Sequence, residues 1–371
     1  MVKTVVILGA AFGGLGVAHR LLKYTRQTEE DIRVILVSKT THFYWNLASV
    51  RGVVPGVLQD EQLFQPIESG FASYPKESFE FVLGTATGLD VRRKAALVST
   101  PSGPRSLPYD YLVLATGARC ASPDVPWKSA NSHEETVDLL HETAEKVREA
   151  KHIVLAGAGP TGVECAAEIR FEYKDKDVVL LSAHEEILAG DTIAKGVESE
   201  IVRLGVQVKK NARVKSSRPL PDGRTEVTLA NGEVIRTDLY LPTMGLVPNT
   251  EYLDASLLDK RNYVNVDECL RVKGADNVWA CGDIIASSRA GFFLTDKQAA
   301  GVVKNIELAI KGKDQLAVKG LPIDVFMCST GRNRGAGRIG WVKVPSLFVW
   351  SVKGKTLGVH STQKYINGTQ W

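Results

Sequence analysis

No two of the five cysteines in this 371-residue chain (Cys120, Cys165, Cys269, Cys281, Cys328) are spaced as a CxxC or CxxxxC pair. That spacing argues against a disulfide framework, a zinc ribbon and a dithiol redox centre alike. No run reaches the roughly 18 apolar residues that a membrane-spanning helix needs. His42, His133 and His184 follow no metal-ligand spacing, and no metal is assigned. Neither a signal h-region nor an Arg-rich transit segment precedes the apolar run entered by Val5, which makes the cytosol the default compartment. RNP, helix-turn-helix and zinc-finger patterns are missing too, which argues against nucleic acid as a partner.

Acid is scarce at one end of the chain. From Ala317 to Trp371 one acid, Asp324, stands against eight basic residues, a net of +7 within a total of +4. The tail also carries Trp341, Phe348, Trp350 and Trp371, which look exposed. Two readings stay open: contact with an anionic lipid surface, or a basic rim that draws in nucleotide phosphates while the aromatics pack inside.

Length predicts two to three domains at roughly 150 residues each. The stretch from Lys3 to Leu22 reads as a buried strand, a glycine turn (Gly9-Ala10-Ala11-Phe12-Gly13-Gly14) and a helix, and Ile32–Val37 follows as a second buried strand. The pattern recurs about 150 residues later: His152–Ala156, the turn Gly157-Ala158-Gly159-Pro160-Thr161-Gly162, a helix, then Asp177–Leu181. Tyr109–Gly117 after the first unit matches Thr237–Gly245 after the second, so the repeat is of domain size. Asp276–Asp283 reads as another buried strand and is followed by a helix with Ala299, Val302, Val303 and Ile306 on its apolar side. Glu226–Leu229 and Val234–Arg236, joined by Asn231-Gly232, read as a hairpin. The tail, with short runs such as Leu347–Trp350, reads as a small, mostly β unit.

A glycine turn that opens a helix collects free N–H groups at its positive end, which suits a pyrophosphate. Gly157, Gly159 and Gly162 fit the spacing fully, with Pro160 in the first helical turn and Thr161 beside it. In the first copy Ala11 replaces the middle glycine, so the nucleotide sits displaced or shifts its contacts to the Phe12 and Gly13 amides. The acid usual after each second strand is missing: Ser38 and Lys39 stand at the first site, Ser182, Ala183 and His184 at the second. Ser38 can reach a ribose hydroxyl or be an ordinary strand-end serine, and Lys39 can reach a phosphate. The choice between NADH and NADPH stays open. Two nucleotide sites in one chain suit a resident flavin and a nicotinamide that exchange a hydride. Without a cysteine pair, the electrons leave from the flavin to an acceptor that comes from outside.

These motifs resemble the two-dinucleotide-binding-domain flavoproteins of the pyridine nucleotide–disulfide oxidoreductase superfamily. Within it they are most similar to the apoptosis-inducing-factor-like, ferroptosis-suppressor branch, near type II NADH:quinone oxidoreductases. The carrying residues are Gly9–Gly14, Ala115-Thr116-Gly117, Gly157–Glu164, Gly245 with Pro248-Asn249, and Cys281-Gly282-Asp283. The resemblance implies an α/β fold: an FAD-binding domain in two parts (1–118 and 247–316), an NAD(P)H-binding domain (119–246) and a C-terminal domain (317–371). It implies FAD as cofactor, NADH or NADPH as co-substrate, and a quinone-like acceptor; monomer and homodimer both stay open.

By the same resemblance, Ala86 and Ala115–Gly117 contact the flavin and Asp283 its ribityl chain, a role compatible with a helix N-cap. Arg51 matches an arginine near the FAD phosphates, against the reading of a surface arginine. Lys297 and Gln298 match positions beside the isoalloxazine ring; Lys297 then steadies the reduced flavin or donates to a quinone oxygen, or is a solvated helix-start lysine. Glu164 matches the glutamate placed where nicotinamide meets flavin, or is a first-turn acid favoured by the helix dipole. Glu168 reads as structural, and Cys165 and Cys281 as packed thiols. The branch often has a glycine after the initiator methionine for myristoylation; Val2 stands there instead. Peripheral contact with a membrane therefore falls to the basic tail. The other enzymatic reading is a biosynthetic flavin oxidase or dehydrogenase reduced by a small metabolite, which does not require a second glycine turn.

Overall fold

A computed structural model describes residues 2–28, 32–287 and 291–371. Strand Lys3–Leu8, whose residues from Val5 onward are fully buried, pairs in parallel with Ile32–Ser38 on one side and Tyr111–Leu114 on the other. Strands Phe79–Leu83 and Val278–Ala280 complete a five-stranded parallel sheet, so the late Gly-Asp strand returns to the sheet of the first glycine turn. Burial on both faces accounts for the nearly unbroken apolar character of these strands.

The second unit repeats the plan with four parallel strands in the order Val206–Lys209, Asp177–Leu181, His152–Ala156, Leu239–Pro242. Between the two sheets the chain crosses twice. Ala118–Cys120 leaves and Leu246–Pro248 returns, paired as an antiparallel ribbon. The hairpin is present as Thr225–Leu229 and Val234–Thr237, with Gly232 at φ 89°, and Val214–Pro219 adds a third strand.

Each glycine turn opens a helix, Phe12–Arg20 and Pro160–Glu172. Helix Phe292–Ile310 packs on the first of these, where a Cβ on Gly16 would lie 3.3 Å from Ala299. Among the described residues no helix is long and apolar enough to cross a membrane.

The tail departs from the mostly β expectation. Strands Val325–Ser329, Gly335–Ile339 and Val342–Val344 form an antiparallel sheet, but Leu347–Trp350 is helical, within turns spanning Ser346–Val349 and Trp350–Gly354. Pro345 sets the helix entry, and the buried positions Val349 and Gly354, five apart, break the alternation that a strand would show. Of the four aromatics, Trp341 and Phe348 are exposed. Trp350 and Trp371 are half-buried, each with its indole N–H bonded, to the Arg332 carbonyl and to Asp296 respectively. The last residues fold back onto the first unit: His19 Nε2 meets the Ile366 carbonyl at 2.8 Å, and Trp45 Nε1 donates to Leu357 O.

Candidate functional site

A cavity of about 1820 Å³ runs between the two glycine turns and is closed on one side by the tail. Pockets for a single drug-sized ligand span about 300–1,000 Å³, so this one has room for two.

At the first turn, Gly9, Ala11, Phe12 and Gly13 form the wall. Gly9 has φ 105°, and a Cβ there would sit 2.3 Å from the Ala115 carbonyl; this close approach joins the turn to Ala115-Thr116-Gly117, which also lines the cavity. Asn249 donates to Thr116 O at 2.8 Å and Thr116 Oγ1 donates to Asn249 O at 2.9 Å, so the Pro248-Asn249 and Ala115–Gly117 motifs lock together. Ser38, Lys39 and Ala86 line the far end. The Ser38 hydroxyl accepts from Thr40 N, and burial holds the Lys39 ammonium below the usual lysine value. Asp283 and Gln298 also border the cavity; Gln298 Oε1 accepts from Gly282 N at 2.8 Å.

At the second turn, Gly159, Pro160, Thr161 and Glu164 line the opposite wall with Gly245. Both helix starts lack a side-chain cap, at Ala11 and at Gly159. Their first N–H groups are therefore free of side-chain acceptors, as an anion cradle requires. Nothing lies within 4 Å of a Cβ built on Gly159, whereas one on Gly162 would be 1.9 Å from Gly157 O. Gly14, Gly157, Gly162 and Ser182 lie behind the wall; the glycines serve close packing and the Ser182 hydroxyl donates to Glu186 O.

Two expected site residues, Arg51 and Lys297, lie off the wall. Arg51 is 2% exposed and off the wall; its two Nη atoms donate to Glu168 Oε1 (2.6 Å), Gly354 O (2.7 Å) and Lys355 O (3.0 Å), while its buried Nε has no partner among the described residues. Lys297 is half-buried and also off the wall: Leu294, Thr295 and Gln298 share the inward face of their helix, and Lys297 lies about 100° round from Gln298.

Two cations escaped the sequence reading. Lys128 pairs with Asp283 at 2.8 Å, and Lys353 pairs with Glu164 at 2.6 Å; both lysines border the cavity. Glu164 Oε1 also accepts from Ser329 N at 2.8 Å, and Lys353 donates to Met327 O at 2.9 Å. Burial pulls the Lys353 ammonium down, yet the Glu164 carboxylate leaves it above the usual lysine value. Neither lysine belongs to a motif. For Lys353 the signal available was the basic excess of the tail, which names no partner; for Lys128 there was none.

Comparison with known proteins agrees with this fold. The family profile for pyridine nucleotide-disulphide oxidoreductases matches residues 3–315. The chain is 38% identical over 371 residues to oxidoreductase ptaL of Pestalotiopsis fici, covering 99% of each chain. It is 28% identical to human ferroptosis suppressor protein 1, covering 97% of this chain and 95% of that one. Among solved structures, the sulfide:quinone oxidoreductase of Aquifex aeolicus superposes with a TM-score of 0.79 at 18% identity, over 99% of this chain and 92% of that one. The NADH oxidase of Lactobacillus brevis bound to NADH gives 0.70 at 18% identity, over 91% and 75%.

Proposed function

From the premise that the chain belongs to the pyridine nucleotide-disulphide oxidoreductase family, we propose that it is an FAD-dependent NAD(P)H oxidoreductase that delivers electrons to a quinone-like acceptor. The observation that carries this reading is the single cavity shared by both uncapped glycine turns, with the Glu164–Lys353 pair on its wall.

The first turn, Ser38, Lys39, Ala86, Ala115–Gly117, Asp283 and Gln298 would hold the flavin, and Gly159-Pro160-Thr161 would hold the nicotinamide nucleotide. A bound FAD supplies the two-electron relay between nicotinamide and acceptor. The chain's own part is to orient the two rings, keep water out and handle protons. Glu164, 4% exposed, and the Lys353 ammonium form a proton-holding couple at the cavity wall; the ammonium is the donor for an acceptor oxygen gaining charge. Lys353 thus takes the role that the sequence suggested for Lys297. Phe12, Trp45, Phe292 and Phe293 border the same cavity and suit a flat, apolar acceptor ring.

Anaerobic mixing of the flavin-loaded protein with NADH or NADPH should bleach the visible flavin band, and a short-chain benzoquinone should restore it. A band unchanged by either nucleotide would sink the reading. Glu164→Gln and Lys353→Met should each keep the flavin yet slow turnover by about a hundredfold.

A further inference from the structure

Arg51 lies outside the cavity, but its neighbours Ser49 and Val50 are on the wall, and its guanidinium joins three separate parts of the chain. It projects from the short helix Ser49–Gly52 of the first unit. One of its amine groups meets Glu168, which is fully buried one helical turn beyond Glu164 on helix Pro160–Glu172. The same group and its twin donate to the carbonyls of Gly354 and Lys355, the two residues that follow Lys353. Each half of the Glu164–Lys353 pair is therefore anchored, one turn or one residue away, to a single planar cation. The guanidinium fork holds the carboxylate and the two carbonyls from two nitrogens in one fixed plane, an orientation that a lysine ammonium, with its three donors on one rotatable atom, does not impose.

We propose that Arg51 is a positioning residue: it sets the register between helix Pro160–Glu172 and the tail, and thereby the contact of Glu164 with Lys353. The proposal rests on the reading of that pair as the proton couple of the reaction. Other bonds hold the pair from the opposite side, Ser329 N on Glu164 and Met327 O under Lys353, so Arg51 tunes the pair rather than creating it. Glu168 keeps a second cation when Arg51 is lost, because Arg332 Nε lies 3.3 Å from its other oxygen while Arg332 Nη2 pairs with Glu172 at 2.7 Å. A neutral substitution at position 51 therefore does not strand a buried charge.

Against the pull of burial, the Lys353 ammonium owes its raised value first to the nearness of Glu164 and then to the buried Cys328, which faces both members of the pair. A slip of register lowers that value. The test compares wild type with Arg51→Met, Arg51→Lys and Glu168→Gln, by three measurements: flavin content, the pH profile of kcat with NAD(P)H and a short-chain benzoquinone, and the NMR titration of Lys353 Cε. Arg51→Met is expected to keep its flavin and its KM for nucleotide, to lose about tenfold in kcat, and to move both the alkaline limb of the profile and the Lys353 titration downward by about one pH unit. Arg51→Lys, which keeps the ion pair but not the fork, should recover part of the loss.

A flavin-loaded Arg51→Met with wild-type kcat and an unmoved Lys353 titration overturns the proposal. So does a deficit abolished by excess FAD, which would return Arg51 to the flavin phosphates. Should Arg51→Met fail to fold, the isosteric Glu168→Gln carries the same expectation, and an unmoved titration there overturns it equally. The Lys353 titration needs no turnover, so a wild type that ignores NADH and NADPH refutes the proposed function, while the shift or constancy of that titration still decides the positioning role.

Discussion

Gly159 and Gly162 stand three residues apart in one motif and do different work. At Gly162 a methyl group would press within 1.9 Å of the Gly157 carbonyl and 2.7 Å of Thr243 Oγ1, and neither the turn nor the helix start can retreat. At Gly159 the same methyl meets nothing within 4 Å, and the backbone there (φ −78°, ψ −178°) is open to any residue. The first copy already holds Ala11 at the matching position, in similar extended backbone (φ −97°, ψ −158°). Gly162→Ala should therefore cost about 1–3 kcal/mol of stability or more. Gly159→Ala should melt within a degree or two of wild type but raise the KM for the nicotinamide nucleotide several-fold, because the methyl fills the phosphate cradle. Thermal melts beside nucleotide titrations separate the two, and equal melting temperatures would refute the division of labour. These glycines were legible in the sequence because the demand on them is local: a turn of six residues writes its own signature. Glu164 was legible for the same reason, whereas its partner Lys353, 189 positions later, was not.

Elements were legible where periodicity decides them and opaque where docking does. Both central strands and both glycine-turn helices follow from their own residues, and so does the Thr225–Thr237 hairpin. The helical turns after Pro345 do not, since the apolar run Leu347–Trp350 suits either period until its neighbours are known. The return of the tail onto helix Phe12–Arg20 is likewise invisible in sequence. It is fixed by His19, which is fully buried, stacked 4.1 Å from Phe71 and bonded to Ile366 O at 2.8 Å and to the Tyr74 hydroxyl at 3.0 Å. Burial holds its pKa down at about 4, with Lys23 adding to the same direction against the Ile366 hydrogen bond. The folded state thus keeps this imidazole neutral, while the unfolded chain protonates near the ordinary 6.5. Between those values the unfolded state binds more protons, so stability is complete above about 6.5 and falls as pH drops toward 4. The loss from this group between pH 7 and pH 5 should be about 2 kcal/mol. His19→Gln, melted at both pH values, should show a smaller acid loss than wild type by that amount; equal losses would place the acid sensitivity elsewhere.

For the whole molecule, the charge of the tail acquires a meaning that composition could not give. Of its eight cations, Arg332, Arg334, Arg338 and Lys353 pair with Glu168 and Glu172, with Glu200, with Asp191, and with Glu164. All five carboxylates belong to the second nucleotide-binding unit. Half of the tail's cations therefore form a clamp onto the rest of the chain rather than a surface for lipid or nucleotide. Arg338 is its most enclosed surface-to-core link: Nε and Nη2 grip both oxygens of Asp191 at 3.0 and 2.8 Å, the Asp191 side chain is 3% exposed, and Asp324 meets the same guanidinium at 2.5 Å. Asp191 lies two residues past Ala189, which borders the cavity with Leu188, so the clamp also fixes one lip of the site. Arg338→Met removes that bidentate partner from a nearly buried carboxylate and should cost about 3–5 kcal/mol. Adding Asp191→Asn should recover much of the loss, because the charge that suffered is gone as well. The double-mutant cycle is the decisive measurement: a coupling well above about 0.5 kcal/mol marks a working clamp. Strict additivity would mean that the Arg338–Asp191 contact does not hold the tail, which its other ion pairs and hydrogen bonds then keep in place without it.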